Sequence, residues 1–403
     1  MVVSLDLDLY EKAYLLVNSN GELRSRFILC LGELHIVFAH IRTIGAYVSN
    51  SGLDMAWLHA NWFDSPCLLR QVLECLNMKR AISTLESTVI TIGVLLLKEV
   101  ATDDNEVIDD DLENLLHSAR NSLDGDDDFP EFALSWSAFC TKLDDLKLRE
   151  KIEFTIEKRK ENKTFQFLLG FVRLVKRLFT FIEAVRSRNW ELYLSSFEAL
   201  IKDFTSFDRI KYRRWSAVYL ADMYHLRDSE DMEDQKVWQA FSKGDFSCQK
   251  SEIPGTAIGR DHCGEQENKK IKNRGGIKGI TMNQNSRTRH FLAAPVLASI
   301  TDQMFDLGGR IVKTSSKRKH HQLNDSYIKR QNEAVNALLP ILEEHVSFSE
   351  LSSPLINIIT GQLYSDEISR DLLSFEDVGN KLYKEFIDER LTAKSQSTTQ
   401  SRK

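Results

Sequence analysis

The chain has 403 residues, of which 42% are hydrophobic and 28% are charged, so it is long enough for two or three folded domains and is neither fibrous nor largely disordered. Its net charge of −6 points to no particular partner, but residues 101–128 carry 11 acidic residues against one arginine, and residues 260–330 carry 15 basic against 6 acidic residues. The absence of a signal peptide and of a long apolar run predicts a protein that is not secreted, has no membrane partner and resides in the nucleus or cytoplasm.

The first 35 residues predict a β-α-β unit. Two short apolar runs, at residues 2–5 and 27–31, have β-strand character, and residues 11–20 between them have helical character. A short crossover of this kind makes the two strands parallel neighbours.

Polar side chains follow both of these runs. Asp6 and Asp8 come after the first run, and Glu33 and His35 close the second run before a helix at residues 36–48. Because the carboxyl ends of parallel strands meet at one edge of a sheet, we expect a site at this edge.

Helical patterns dominate the rest of the chain. Residues 166–185 are strongly apolar but carry four charged residues, which predicts a buried core helix and not a membrane span. The helix predicted at residues 210–226 places aromatic residues on one face, which could stack on nucleic-acid bases but more simply predicts a core face. These are Tyr212, Trp215 and Tyr219, with Met223.

A polar helix followed by a basic segment is predicted after residue 258. Asp261 and Glu265 are four residues apart and therefore share a helix face. Basic residues nearby could neutralise DNA phosphates in weak, sequence-independent binding, although a solvated helix face explains several of them equally well. The candidates for DNA binding are Lys269, Lys270, Lys272, Arg274, Arg287 and Arg289.

Four runs, in chain order, resemble a family of poorly characterised metazoan proteins derived from transposable elements. The runs are LDLDLY (residues 5–10), LGELHIVF (31–38), FDRIKYRRWSAVYLADM (207–223) and GRDHCGEQENKKIKNRGGIKGIT (259–281). The wider pattern is similar to cut-and-paste DDE-type transposases with a ribonuclease-H-like core, and the resemblance covers residues 1 to about 300.

The resemblance implies a mainly α fold with a small α/β part, a remnant of a ribonuclease-H-like sheet interrupted by a large all-helical insertion. In such enzymes two Asp and one Glu bind two Mg²⁺ ions for DNA cleavage and strand transfer. Asp6 matches the second Asp, Glu265 the closing Glu, and His35 a site residue after the next strand. The first Asp would then lie upstream of Met1, so we expect an N-terminally truncated, catalytically inactive chain.

The implied domains are these: residues 1–60, a β-α-β remnant; 61–250, a helical insertion with an acidic linker at 101–130; 251–300, a return segment with the catalytic helix; 301–391, C-terminal helices; and 392–403, a disordered tail.

Other interpretations of the candidate site residues stay open. Asp6 is also a natural helix cap, with Asp8 as a competitor, and Asp208 is either a cap or a replacement for Asp6. Glu265 is alternatively a solvated carboxylate, and His35 a structural histidine. Gly264 stands where the family commonly has His, which weakens the case for an intact metal site.

Three functional hypotheses therefore remain. The first is an inactive transposase-derived protein, the second a non-catalytic helical module that binds DNA or protein, and the third a gene fragment without a stable fold. A homo-oligomer is compatible with the first two.

Overall fold

The computed structural model describes residues 1–104, 147–249, 255–272 and 325–392, together with a few helical positions between residues 284 and 296. Its described part is mainly helical with a few short strands, which confirms the predicted mainly α class. The chain divides into two compact units, unit 1 with residues 1–35, 183–190 and 229–321, and unit 2 with residues 36–182, 191–228 and 322–403.

The elements are, in chain order, β1 Val2–Leu5, α1 Leu7–Ser19, α2 Gly21–Arg26, β2 Ile28–Leu31, α3 Glu33–Val48, α4 Leu53–His59, α5 Pro66–Leu73, α6 Met78–Asp104, α7 Leu148–Lys158, β3 Glu161–Asn162, α8 Lys163–Arg186, α9 Trp190–Ser206, α10 Ile210–Asp228, α11 Met232–Ser242, β4 Ser247–Cys248, β5 Ile258–Gly259, α12 Arg260–Lys272, α13 Asp325–His345, β6 Ser352–Ser353, α14 Asp366–Leu373, α15 Phe375–Phe386 and a π-helical end, Ile387–Thr392. Of the predicted linker 101–130, residues 101–104 belong to α6, and the remainder lies outside the described residues.

Strands β1 and β2 of unit 1 confirm the predicted parallel pair. Val2 lies opposite Ile28 and Leu5 opposite Leu31, and α1 and α2 form the crossover. The first helix begins earlier than the predicted residue 11, because the Asp6 side chain accepts a hydrogen bond from the Leu9 N–H at 2.8 Å and caps α1.

The prediction that Glu33 and His35 end the second strand was wrong. The ladder closes one residue earlier, where the Gly32 N–H donates to the Leu5 carbonyl at 2.7 Å. Glu33 then begins α3, and His35 lies in its first turn. Both side chains therefore project from a helix N-terminus.

An aromatic core fills unit 2. The strongly apolar segment at residues 166–185 lies in α8, which is a buried core helix as predicted, with Phe167, Phe171 and Leu174 almost fully buried. Phe167 stacks on Tyr47 of α3 with ring centroids 4.7 Å apart. The aromatic face of α10 is also part of the core, since Trp215, Tyr219 and Met223 are all buried, so the core-face interpretation was correct.

One segment of α6, Met78–Thr102, is long and apolar enough by composition to cross a membrane, and 44% of its most apolar window is buried inside the protein. A core helix has the same properties. Across the residues that the structure describes, no other helix meets this criterion.

Candidate functional site

The candidate site of unit 1 forms where α12 meets the β-α-β unit. β4 pairs antiparallel with β5, and α12 follows β5 directly. The helix contacts β1 as well as β4 and β5. Its first turn, which carries Asp261, therefore lies at the carboxyl end of the parallel pair, next to the start of α3.

Two glycines permit this close approach. A Cβ atom on Gly32 would lie 2.3 Å from Oδ2 of Asp261, and one on Gly259 would lie 2.9 Å from Oδ1 of Asp261 and 3.0 Å from Oε2 of Glu33. Carbon atoms do not approach oxygen atoms so closely without displacing them. The glycines thus allow the Asp261 carboxylate to reach the backbone of α3.

Asp261 caps α3 from a distant part of the sequence. Its Oδ1 accepts a hydrogen bond from the Leu34 N–H at 3.1 Å, and its Oδ2 accepts one from the His35 N–H at 3.3 Å. A carboxylate at this position satisfies donors that an α-helix leaves unpaired and interacts favourably with the helix dipole. The same Oδ2 accepts a hydrogen bond from Nδ1 of His35 at 2.9 Å.

These contacts stabilise opposite charges on the two side chains. Burial opposes the ionisation of Asp261, but hydrogen bonds from the His35 ring and the Leu34 N–H outweigh it and lower the pKa of Asp261 below its ordinary value. The hydrogen bond to Asp261 raises the pKa of His35, against the effect of its partial burial. When the His35 imidazole is protonated, Asp261 and His35 form an ion pair, with the Asp261 side chain 6% exposed and that of His35 31% exposed.

Glu33 is a buried carboxyl group next to this pair. It is 4% exposed, and its Oε2 is buried with no hydrogen-bond partner among the residues that the structure describes. Burial and then the negative charge of Asp261 raise the pKa of Glu33 well above its ordinary value. The carboxyl group is therefore neutral at pH values where an exposed glutamate is ionised, and its proton can be shared with Asp261.

The three residues predicted as catalytic all belong to unit 1. The negative charges of Asp6 and Glu265 both contribute to raising the pKa of His35, so both carboxylates lie within electrostatic range of the ring. Glu265 is exposed, one turn after Asp261 on α12. Asp208, the alternative to Asp6, belongs to unit 2.

The assignment of Asp6 and Glu265 as Mg²⁺ ligands stays a prediction. Within the part of the chain that the structure describes, no three His, Cys, Asp or Glu side chains are grouped so that they could hold a metal ion. The carboxylates at the edge of the sheet already have protein partners, since Asp6 caps α1 and Asp261 caps α3.

The predicted DNA-binding residues are only partly described. Lys269 is exposed on α12 and Arg289 is exposed further along the chain. Lys270 and Lys272 belong to α12 by their backbone. Arg274 and Arg287 lie outside the described residues.

The sequence predicted Glu33 at the edge of the sheet without a role in the site, and it did not predict Asp261 there. The signal for Asp261 was present, because it shares a helix face with Glu265 at a spacing of four residues. Nothing in the sequence indicates that Asp261, and not Glu265, contacts His35. Glu33 was recognised only as a polar residue after an apolar run.

The family model of a domain of unknown function, DUF8702, matches residues 1–402 of the chain. The chain belongs to the DUF8702 family. No curated protein and no solved structure matches it.

Proposed function

We propose that this DUF8702 chain derives from a DDE-type transposase and that its site is the altered remnant of a ribonuclease-H-like active centre. One observation supports the proposal above all. After a long intervening segment, whose described residues are mostly helical, α12 returns to the carboxyl ends of a parallel strand pair and carries Asp261 and Glu265 towards His35 and Asp6. A ribonuclease-H-like core with a helical insertion requires this return of an acidic helix to the first strands.

The residues present do not fit a two-metal centre. When bound, Mg²⁺ would activate the attacking oxygen and stabilise the leaving oxygen in phosphodiester cleavage. Two such ions need several ionised carboxylates with free lone pairs. Here Asp261 accepts hydrogen bonds from α3, Glu33 favours its neutral form, and Asp6 accepts a hydrogen bond as a helix cap. We therefore propose that the site no longer cleaves DNA.

In place of catalysis, the Asp261–His35 pair holds the start of α3 against α12. The pair joins the β-α-β unit to the return segment, so that a constellation inherited from an active centre has a structural role. DNA binding without catalysis is the second candidate function, supported by exposed Lys269 on the same helix and by the basic composition of residues 260–330.

A plasmid-nicking assay tests this proposal. We expect the purified full chain to convert no more supercoiled DNA to the nicked form in Mg²⁺ or Mn²⁺ than the Asp6→Asn variant does. Cleavage that depends on the metal and disappears in both Asp6→Asn and Glu265→Gln would show that the site is an intact nuclease centre, and the proposal of an inactive remnant would be wrong.

A further inference from the structure

Two cysteine thiols meet beside the candidate site in unit 1. Cys248 lies opposite Ile258 in the β4–β5 pair, and α12 begins two residues after Ile258. This short path returns the first turns of α12 to β4, which they contact. Cys263 is on that part of α12, and its thiol lies close enough to that of Cys248 to raise the pKa of Cys248. Both residues are partly exposed, so small molecules can reach them.

We propose that Cys248 and Cys263 are a redox modification site, at which a reversible intramolecular disulfide ties the start of α12 to β4. A disulfide requires two Cβ atoms roughly 3.5–4.5 Å apart, and cysteines on two elements that already contact each other need only a small shift to satisfy this. One cysteine is on a strand and the other on a helix, so the bond would join two elements and not two turns of a single helix. The inference does not depend on the proposed transposase origin.

The reaction balances with a low-molecular-weight disulfide, such as oxidised glutathione, as the oxidant. One cysteine thiolate attacks the small disulfide, forms a mixed disulfide and releases the first glutathione thiolate. The second cysteine attacks the mixed disulfide, closes the Cys248–Cys263 bond and releases the second. The protein loses two electrons and two protons, and the oxidant becomes two thiols.

The environment of Cys248 slows its reaction as a nucleophile. Burial, followed by the neighbouring Cys263, raises the pKa of Cys248 above its ordinary value, and the charge of Arg260 partly opposes this shift. Because the thiolate is the attacking species, attack by Cys248 is slow at neutral pH and faster in alkaline solution. In a reducing compartment, a disulfide of this kind is a transient modification and not a structural one.

Closure of the disulfide would also affect the neighbouring ion pair. Asp261 precedes Cys263 by two residues on α12, and its carboxylate caps α3 at Leu34 and His35. Fixing the start of α12 restrains Asp261 in the capping position. We therefore expect the oxidised chain to open less often at the start of α3.

The test uses the full chain, incubated in glutathione buffers that range from fully reduced to fully oxidised, at about pH 8.5, the ordinary pKa of a thiol. Remaining thiols are then alkylated, and the digested protein is analysed by mass spectrometry. We expect a linked peptide that contains Cys248 and Cys263, reversed by dithiothreitol, and slower hydrogen exchange at the Leu34 and His35 amides in the oxidised form. Cys67→Ser, which removes an exposed cysteine of unit 2, should retain the linkage, whereas Cys248→Ser and Cys263→Ser should abolish it.

Three results would overturn the proposal. The first is alkylation of both cysteines in the fully oxidised buffer, the second is a separate glutathione on each of them, and the third is linkage of either one to another cysteine. All three are read from the unmutated chain, so the test remains decisive even if a serine variant fails to fold.

Discussion

At the scale of single residues, the site places three ionisable side chains with different preferences next to one another. Glu33 favours its neutral form, Asp261 its anionic form and His35 its cationic form. The difference between the two carboxyl groups has a structural cause. Asp261 receives N–H donors from α3, whereas Oε2 of Glu33 is buried without one. The stability of unit 1 should therefore depend on pH, and substitutions of Glu33 and of Asp261 should change this dependence in different ways.

Replacing Glu33 with glutamine should stabilise the protein, and more so at high pH. The folded-state pKa of Glu33 is raised, so its contribution to stability is fully present below the unfolded value of about 4.3 and is lost as pH rises through the folded pKa. A glutamine side chain keeps the shape of the neutral acid and cannot ionise. Thermal unfolding of Glu33→Gln and the unmutated chain, measured from about pH 5 to pH 9, should show the smallest difference at the acid end. A difference that is constant with pH would mean that Glu33 is not the titrating group.

Replacing Asp261 with asparagine should lower the pKa of His35. The hydrogen bond from His35 to Asp261 is the main cause of the raised pKa, and asparagine removes the negative charge while it preserves an oxygen that can cap α3. Because a raised histidine pKa gives stability below the unfolded pKa of about 6.5 that is lost as pH rises through the folded pKa, this variant should lose more stability between about pH 4 and pH 6, where Asp261 is ionised and His35 is protonated, than in alkaline solution. NMR titration of the imidazole resonances measures the shift directly.

Glu265→Gln is the matched control for this titration, since the charge of Glu265 contributes less than that of Asp261 or Asp6 to the raised pKa of His35. It should lower the pKa of His35 by less than Asp261→Asn does. An equal or larger effect of Glu265→Gln would show that the exposed carboxylate is the true partner of the imidazole.

At the scale of elements, two glycines around Asp261 should respond to alanine in opposite directions. Gly264 lies on α12 with nothing within 4 Å of a Cβ atom, so Gly264→Ala should stabilise the protein by about 1 kcal/mol, the difference in helix propensity. Gly259 has no such space, because a Cβ atom there would lie 2.9 Å from both Oδ1 of Asp261 and Cβ of Glu33. Gly259→Ala should destabilise by about 1–3 kcal/mol, as overpacking does.

Urea unfolding of both variants measures these changes in the free energy of unfolding. The variant Gly32→Ala offers an independent check of the close approach, since its Cβ atom would lie 2.3 Å from Oδ2 of Asp261. If Gly259→Ala and Gly32→Ala were both neutral, α12 would not pack against the start of α3 as described.

The same elements show what the sequence could and could not predict. The parallel β1–β2 pair was predictable because local apolar runs and a short crossover determine it. The start of α3 was not, because the group that caps it, Asp261, is 227 residues away from Leu34. The strands β4 and β5 have two residues each, too few for a period-2 pattern to appear. Local patterns thus predicted the helices and the first strands, but not the contact that defines the site.

At the scale of the whole molecule, the uneven distribution of charge predicts salt-sensitive DNA binding. Residues 260–330 carry an excess of nine positive charges by composition, and Lys269 on α12 is exposed. If four or five of these residues neutralise phosphates, the slope of log affinity against log salt should be roughly −4, because each contact contributes about −0.9. Fluorescence-anisotropy titrations with DNA duplexes of unrelated sequence, at several salt concentrations, measure the slope.

Sequence independence is the second part of this expectation, since phosphate contacts carry no base information. Lys269→Ala should reduce the slope by about 1 if this lysine contacts a phosphate. Affinity that cannot be measured at about 50 mM salt, or that does not decrease as salt increases, would contradict DNA binding by this segment.

The contact between Asp261 and Leu34 also has a consequence for biosynthesis. A ribosome adds about 5–20 residues per second, so roughly 10–45 s separate the synthesis of two residues that are 227 positions apart. Throughout this interval β1 and β2 exist without the helix that packs against them, and a two-stranded sheet is marginally stable at best in water. The β-α-β unit is thus synthesised well before the helix that stabilises it. Until α12 is made, the edges of β1 and β2 are accessible to chaperones, to proteases and to neighbouring nascent chains.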